Sequence, residues 1–146
     1  MDPEELERLR CNPDMNFIVL LAFAFKKAKA DRVISAKEAI AIVVADTMRG
    51  NCPGTRGLSP NLLKNFSEGY RNAIKNYGEE VAAERMERYL VRIIADKMRL
   101  ETSVVDEHMN RSLSIQELFI NGIHLTKDSN GEYKSYNIRD KYPKGE

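Results

Sequence analysis

Two apolar helical segments joined by a short polar connection occupy residues 16–48, and this pair constrains the fold more than any other feature of the chain. Both segments are too apolar to expose more than a narrow side to water. Ser35 precedes Glu38 by three residues, which is the spacing of a capping box and predicts that the second helix begins there. Because the connection 31–35 is short, we expect the two helices to pack together. The predicted centre of the core comprises Phe17, Ile18, Leu20, Leu21, Ala24, Phe25, Ala39, Ile40, Ile42, Val43 and Ala45.

Further helices are predicted on both sides of this pair. The acidic start of the chain predicts a first helix that ends near residue 11, and Asp14 is expected to cap the helix that ends near residue 30. Ser59 followed by Pro60 has the N-cap and first-turn signature of a later helix, which is expected to run to about residue 75. Its apolar stripe includes Phe66 and Tyr70, so both rings are expected in the core.

The segment after residue 78 predicts one long helix whose end the sequence leaves open. Its apolar residues recur at helical spacing and comprise Val81, Ala82, Met86, Tyr89, Leu90, Ile93, Ile94 and Met98. Either this helix continues past residue 100, or Thr102 and Ser103 begin a separate short helix over 104–110. The spacing of Ser103 and Asp106 favours the separate helix.

After residue 111 the chain becomes richer in β-branched and aromatic residues. The run Asp128-Ser129-Asn130-Gly131 supplies the residues that a hairpin turn requires, although Asn121-Gly122 is an alternative turn that leaves the register open. We therefore predict a small antiparallel β-hairpin over 112–140 and a solvated tail over 141–146. The predicted fold is a single, mainly α domain, in which a compact bundle of five or six helices over 1–111 packs against this C-terminal hairpin.

The composition fits one globular domain. The chain has 146 residues, of which 42% are hydrophobic and 31% are charged. Its longest apolar run, residues 17–25, is too short to span a bilayer. The acidic start also lacks the basic region of a signal peptide, so we expect a cytoplasmic protein in which Cys11 and Cys52 are free thiols.

No motif predicts a catalytic residue, a metal site or a cofactor. The segment 27–38 can be aligned with a calcium-binding loop, but Lys27 and Lys29 then stand where oxygen ligands are required. The residues of zinc-binding type are scattered singly, without the paired spacing of a structural zinc site. They are Cys11, Cys52, His108 and His124. Enzyme activity is therefore the less favoured hypothesis.

Basic residues concentrate in the middle of the chain, although the formal net charge is only +1. Residues 22–78 contain ten Lys or Arg side chains against four Asp or Glu side chains. Basic side chains beside aromatic rings suit phosphate contact and base stacking, so this region is a candidate nucleic-acid surface. Its predicted contacts, on the basic face of residues 49–77, are Arg49, Arg56, Lys64, Arg71, Lys75 and Tyr77.

The chain resembles two known families over short segments. Leu20-Leu21-Ala22, followed by the run from Ala28 through Asp31-Arg32-Val33-Ile34-Ser35 and by Glu38, resembles the helix-pair signature of TerB-like (tellurite-resistance) domains over about residues 20–45. Arg32 stands where those domains usually have glycine. This resemblance implies a helical fold and a role in stress response. The run from Lys37 to Ile42 is similar to a segment of the small gamma subunit of urease, which keeps open a role as a small accessory subunit of an enzyme.

The function that the sequence favours is a non-enzymatic protein-interaction module, either an oligomer or a subunit or adaptor of a larger cytosolic assembly. The predicted hairpin offers an edge to which a partner strand can be added. The loop 51–58 is a second candidate contact. The candidate partner contacts on the hairpin are Phe119, Ile123, Leu125, Tyr133 and Tyr136.

The nucleic-acid alternative makes a prediction about salt. If the basic face binds phosphates, affinity for nucleic acid should fall steeply as salt is raised, because binding releases condensed counterions. Reversing the charges of Arg71 and Lys75 should then abolish binding. Fluorescence anisotropy of a labelled oligonucleotide measures both effects, and an affinity that does not respond to salt would contradict this alternative.

Overall fold

A computed structural model describes residues 3–52, 54–110, 126–127 and 133–134 of the chain. These residues contain six α-helices and one pair of short strands, which confirms a mainly helical protein. The helices are α1 (Pro3–Arg10), α2 (Pro13–Asp31), α3 (Ala36–Met48), α4 (Pro60–Tyr77), α5 (Glu79–Met98) and α6 (Thr102–Asn110).

α2 and α5 form the centre of the bundle. α2 contacts α1, α3, α5 and α6, while α5 contacts α2, α3, α4 and α6. α4 adds aromatic rings to the same core, since Phe66 meets Phe17 edge-on with centroids 6.2 Å apart and Tyr70 meets Phe25 with centroids 5.3 Å apart. The predicted core positions of Phe66 and Tyr70 are confirmed. The largest side chains with almost no exposure are Phe17, Val19, Leu21, Leu90, Ile94, Met98 and Val105.

Side-chain caps fix where α2 and α3 begin. The Ser35 hydroxyl accepts a hydrogen bond from the backbone N–H of Glu38 at 3.1 Å, which confirms the predicted start of α3. The predicted cap of α2 is wrong, because Asn12 and not Asp14 occupies that position: its side-chain oxygen accepts from the backbone N–H groups of Asp14 and Met15. Since proline favours the first helical position, the cap has to precede Pro13.

Some residues predicted in the core lie at the surface. Ile42 on α3 is 53% exposed, because α3 packs on α2 and α5 through the side that carries Ala39 and Ile40. On α5, Val81 and Tyr89 are exposed as well. Val81 and Tyr89 each lie next to a buried residue in sequence, and one step along a helix turns the side chain by about 100°. On these two helices the stripe of apolar residues is therefore wider than the face that is buried.

α6 is a separate helix. α5 ends at Met98, and the chain turns at Arg99 before α6 begins at Thr102. Of the two alternatives that the sequence left open, the separate helix is confirmed, although it begins at Thr102 and not at residue 104. Val105 and Met109 on α6 are buried, so the turn folds this short helix back onto the bundle.

The C-terminal part of the chain is described only as a strand pair. β1 (Thr126–Lys127) and β2 (Tyr133–Lys134) are antiparallel, and Lys127 lies opposite Tyr133. The rest of the predicted hairpin and the tail fall outside the described residues. The same holds for the predicted partner contacts Phe119, Ile123, Leu125 and Tyr136.

The described helices were also compared with the requirements of a membrane span. Within the described part of the chain, none of them combines the length and the apolar character that crossing a bilayer requires.

Two arginines end helices in a left-handed backbone conformation. Arg32 follows α2 with a φ of 54°, and Arg99 follows α5 with a φ of 56°. Glycine is usual at such positions, because any Cβ atom crowds the neighbouring carbonyl oxygen there. The fold therefore keeps two strained residues at its helix ends.

We predict that Arg32→Gly and Arg99→Gly each raise the free energy of unfolding by about 1 kcal/mol, because glycine relieves the left-handed strain. The exposed ion pair of Arg99 with Glu5, at 3.8 Å, offsets only a small part of the gain. Arg71→Gly, inside α4, is the control and should lower stability by about 1 kcal/mol. Urea unfolding measures all three variants, and a loss of stability at either helix end would contradict the prediction.

Candidate functional site

A groove of about 560 Å³ lies between the α2–α3 connection and α5. We call it the α2–α5 groove. It is lined by the end of α2, the connection through Ser35, the first turn of α3 and one side of α5. Its volume is in the range of pockets that bind small molecules or the side chains of a partner, so it is the first candidate site.

The inner part of the α2–α5 groove is apolar. Phe25 and Ala28 of α2 are buried there, and the ring of Phe25 is held edge-on by Tyr70. At the rim, Val33 is 84% exposed and Ile34 is 38% exposed. Scattered apolar residues are ordinary on protein surfaces, but two adjacent ones beside an apolar concavity form a surface that a partner can cover.

The two long sides of the groove carry opposite charges. α5 contributes Glu79, Glu80, Glu84 and Glu87, and the opposite side contributes Lys29, Arg32 and Lys37. The only ion pair that joins them among the described residues is Lys37 with Glu79, at 3.9 Å, and both side chains are more than half exposed. Such a pair adds little stability. The glutamates at positions 80 and 84 form no ion pair with a described residue, so their charge is available to a ligand.

Tyr70 lies directly behind the groove, against Phe25. Its hydroxyl is buried and has no hydrogen-bond partner among the described residues. Burial raises the pKa of Tyr70 above its ordinary value of 10.0, and the negative charge of Glu79 raises this pKa further. Behind the apolar side of the groove, the bundle therefore encloses a polar group that no described residue satisfies.

The predicted nucleic-acid contacts do not line this groove. Lys64, Arg71, Lys75 and Tyr77 are exposed on α4, Arg49 ends α3, and Arg56 lies in the following loop. The helical spacing of Lys64, Arg71 and Lys75 places them on one face, but Glu68 lies on that face between them. Tyr77 is covered in part by the Arg85 guanidinium, 4.0 Å from the ring centroid. Their role in binding nucleic acid stays a prediction.

The loop 51–58 is fastened to the bundle by Asn16. This buried side chain donates one hydrogen bond to the carbonyl oxygen of Gly54, at 2.9 Å, and another to that of Arg10, at 3.0 Å. A Cβ atom on Gly54 would lie 2.6 Å from the same amide nitrogen, so glycine is needed for this close approach. The loop's role as a partner contact stays a prediction.

Among the described residues, those of metal-binding type do not come together as a centre. Cys11 and Cys52 are free, Cys11 is exposed, and His108 is buried on α6. No group of three or more potential metal ligands occurs within the described ranges of the chain, and His124 lies outside them. The described geometry therefore offers a binding groove and not a metal centre.

The groove could not be predicted from the sequence, because the segments that line it are distant along the chain. The glutamates early in α5 are, taken alone, typical of any helix start, where negative charge is favourable. The apolar pair Val33-Ile34 between basic residues was the one local signal that could have drawn attention to this surface. Nothing in the sequence stated that α5 would lie opposite it.

Comparisons with known proteins add no assignment. Neither protein-family models, curated proteins nor solved structures gave a match to this chain. The resemblance to TerB-like domains therefore stays a prediction, and any function has to be inferred from the geometry of the described residues.

We predict that Tyr70→Phe raises the free energy of unfolding at neutral pH by about 1 kcal/mol, because it removes a buried hydroxyl that has no hydrogen-bond partner among the described residues. Because the pKa of Tyr70 is higher in the folded than in the unfolded protein, the free energy of unfolding of the wild type should also fall as the pH rises above 10.0. Tyr70→Phe has no phenol to ionise at this position, so it should not show this part of the decrease. Urea unfolding at several pH values measures the difference between the two proteins.

The control for this prediction is Tyr89→Phe, which removes a hydroxyl from an exposed ring. Its stability should follow that of the wild type at every pH. A Tyr70→Phe protein that is less stable than the wild type at neutral pH would mean that the hydroxyl has a favourable partner.

Proposed function

We propose that this protein is a non-enzymatic protein-interaction module, and that its α2–α5 groove binds an amphipathic segment of a partner protein. One observation carries the proposal: Val33 and Ile34 are exposed beside an apolar concavity that Phe25 and Ala28 line. Covering such a surface is the main source of affinity in protein association.

The energetics favour an apolar face on the partner. Full burial of a valine side chain contributes about 1.5–3 kcal/mol, and Val33, at 84% exposure, still has nearly all of this to gain. The apolar part of the groove is already in place, so a partner does not have to open the bundle to reach it. Preformed sites bind with a smaller loss of conformational entropy.

The charges of the groove indicate which residues flank that face. Glu80 and Glu84 lie on α5 without an ion pair to a described residue, so basic side chains of the partner can pair with them. Like charges placed against this side would be repelled. The partner segment that fits is therefore an amphipathic one with Lys or Arg along one border of its apolar face.

Several finer points of this function are part of the proposal. The predicted hairpin over 112–140 is a second contact, which adds a strand to a partner. The protein acts in the cytoplasm, as an oligomer or as a subunit or adaptor of a larger assembly, and the resemblance to TerB-like domains suggests a role in stress response.

Nucleic-acid binding is the second candidate function. It is favoured by the exposure of Lys64, Arg71 and Lys75 on one face of α4, where none of them forms an ion pair with a described residue. Glu68 on that face reduces the local positive charge, so the groove is the better supported site.

The proposal is tested with a displayed library of amphipathic helical peptides selected on the full chain. We expect the enriched peptides to carry basic residues beside an apolar face. Val33→Asp should weaken their binding at least about 10-fold, because it removes the apolar contact from an exposed position without disturbing the core. Glu84→Lys should weaken the same peptides by repelling their basic residues.

Ile42→Asp is the matched control for Val33→Asp. Ile42 is also an exposed apolar residue, in the middle of α3, but it does not line the groove. Peptide affinity should be unchanged in this variant. Enriched peptides without basic residues, or peptides that bind Val33→Asp as well as the wild type, would refute the groove as the binding site.

A further inference from the structure

A second cavity, of about 620 Å³, lies between α2, the middle of α5 and the start of α6. We call it the basic cavity, because five cationic side chains line it together with two carboxylates. The cations are Lys26, Lys29, Arg32, Arg88 and Arg92, and the carboxylates are Glu87 and Asp106. This leaves an excess of three formal positive charges in a chain whose formal net charge is only +1.

Lys26 lies between the two carboxylates of the basic cavity and forms an ion pair with each. Its ammonium group lies 2.7 Å from a carboxylate oxygen of Asp106 and 3.9 Å from one of Glu87, and its side chain is largely buried. The other four cations form no ion pair with a described residue. Among the described residues, both acidic groups of the cavity therefore have an ion-pair partner, whereas only one of its five basic groups does.

The backbone keeps these unpaired cations close to one another. Arg88 and Arg92 are four residues apart on α5, so one lies above the other on the same helix face. Like charges at this spacing repel each other, and a bound anion relieves the repulsion. Thr102, which also lines the cavity, begins α6, and the partial positive charge of a helix start favours an anion at the same place.

Arg32 adds an independent observation. Its side chain lines the basic cavity, and its backbone has a left-handed conformation in which glycine would be less strained. Strained residues of this kind cluster at ligand sites, where the side chain itself is needed. Arg99 has the same backbone strain, but its side chain lies 3.8 Å from Glu5, whereas Arg32 has no acidic partner among the described residues.

We propose that the basic cavity binds a compound with clustered phosphate groups. Arginine matches phosphate oxygens with two parallel hydrogen bonds, and a chain of phosphates carries enough negative charge to balance the unpaired cations. No aromatic residue of the described part lines the cavity, so the phosphate chain and not a nucleobase is the recognised group. An inorganic polyphosphate and the triphosphate of a nucleotide share this chemistry.

Calorimetric titration of the full chain with inorganic tripolyphosphate tests the proposal. Arg88→Gln and Arg92→Gln should each weaken binding about 10-fold, since each removes charged hydrogen bonds to phosphate. Lys97→Gln is the matched control: it removes the same charge from an exposed position of α5, outside the cavity, and should leave the affinity unchanged. Equal losses in all three variants would mean unspecific attraction and would overturn the site.

A second pair of variants separates ligand binding from folding. Arg32→Gly should raise the melting temperature and weaken tripolyphosphate binding, whereas Arg99→Gly should raise the melting temperature and bind as the wild type does. If the two variants bind tripolyphosphate equally well, Arg32 has no part in a phosphate site. No detectable binding by the wild type at a concentration on the order of 1 mM would overturn the proposal as a whole.

Two comparisons of ligands and variants complete the test. If adenosine triphosphate binds no more tightly than tripolyphosphate, the site is specific for the phosphate chain. If it binds more tightly, the site is specific for a nucleotide. If adenosine has the same affinity as adenosine triphosphate, both assignments are contradicted. Arg88 and Arg92 do not line the α2–α5 groove, so their variants should still bind the selected peptides. Val33→Asp should still bind tripolyphosphate, which keeps the two proposals separately testable.

Discussion

The burial of α2 on several sides is the constraint on which the rest of the structure depends. Phe17 and Leu21 share one face of the helix and Val19 lies nearly opposite them, yet all three have almost no exposure. No single neighbour can cover such a helix, so α3, α5 and the rings of α4 must all pack against it. Each large apolar side chain that is buried contributes about 1.5–3 kcal/mol. The same packing fixes the end of α2 opposite α5, where both cavities form.

The parts of the fold that were predicted from sequence are those that local chemistry decides. The capping bond at Ser35, and Phe66 and Tyr70 in the core, depend on spacings within one helix and were confirmed. Errors occurred where a neighbouring element decides. Ile42 is as apolar as Ile40, but only Ile40 lies on the side of α3 that packs on the bundle. The candidate site was missed for the same reason, since its charges come from helices far apart in sequence.

The α2–α5 groove and the basic cavity share Lys29, Arg32 and Glu87. A phosphate compound that pairs with Arg32 would remove positive charge from the side of the groove that faces α5. A partner segment in the groove would likewise change the electrostatic environment of the cavity. If both proposals hold, the two ligands must therefore influence each other's affinity by the same factor, because coupling between two binding equilibria is reciprocal.

At the two strained arginines, the contribution of a residue to stability can be distinguished from its contribution to the charge of a cavity. Stability alone would place glycine at both helix ends, since the left-handed conformation is costly for any other residue. Arg99 gains a weak, exposed ion pair with Glu5 that offsets part of this strain. Arg32 gains no such partner from the described residues and instead adds charge to a region that already repels itself. Since no described residue offsets the strain at Arg32, a cation at this position is what the proposed phosphate site would account for.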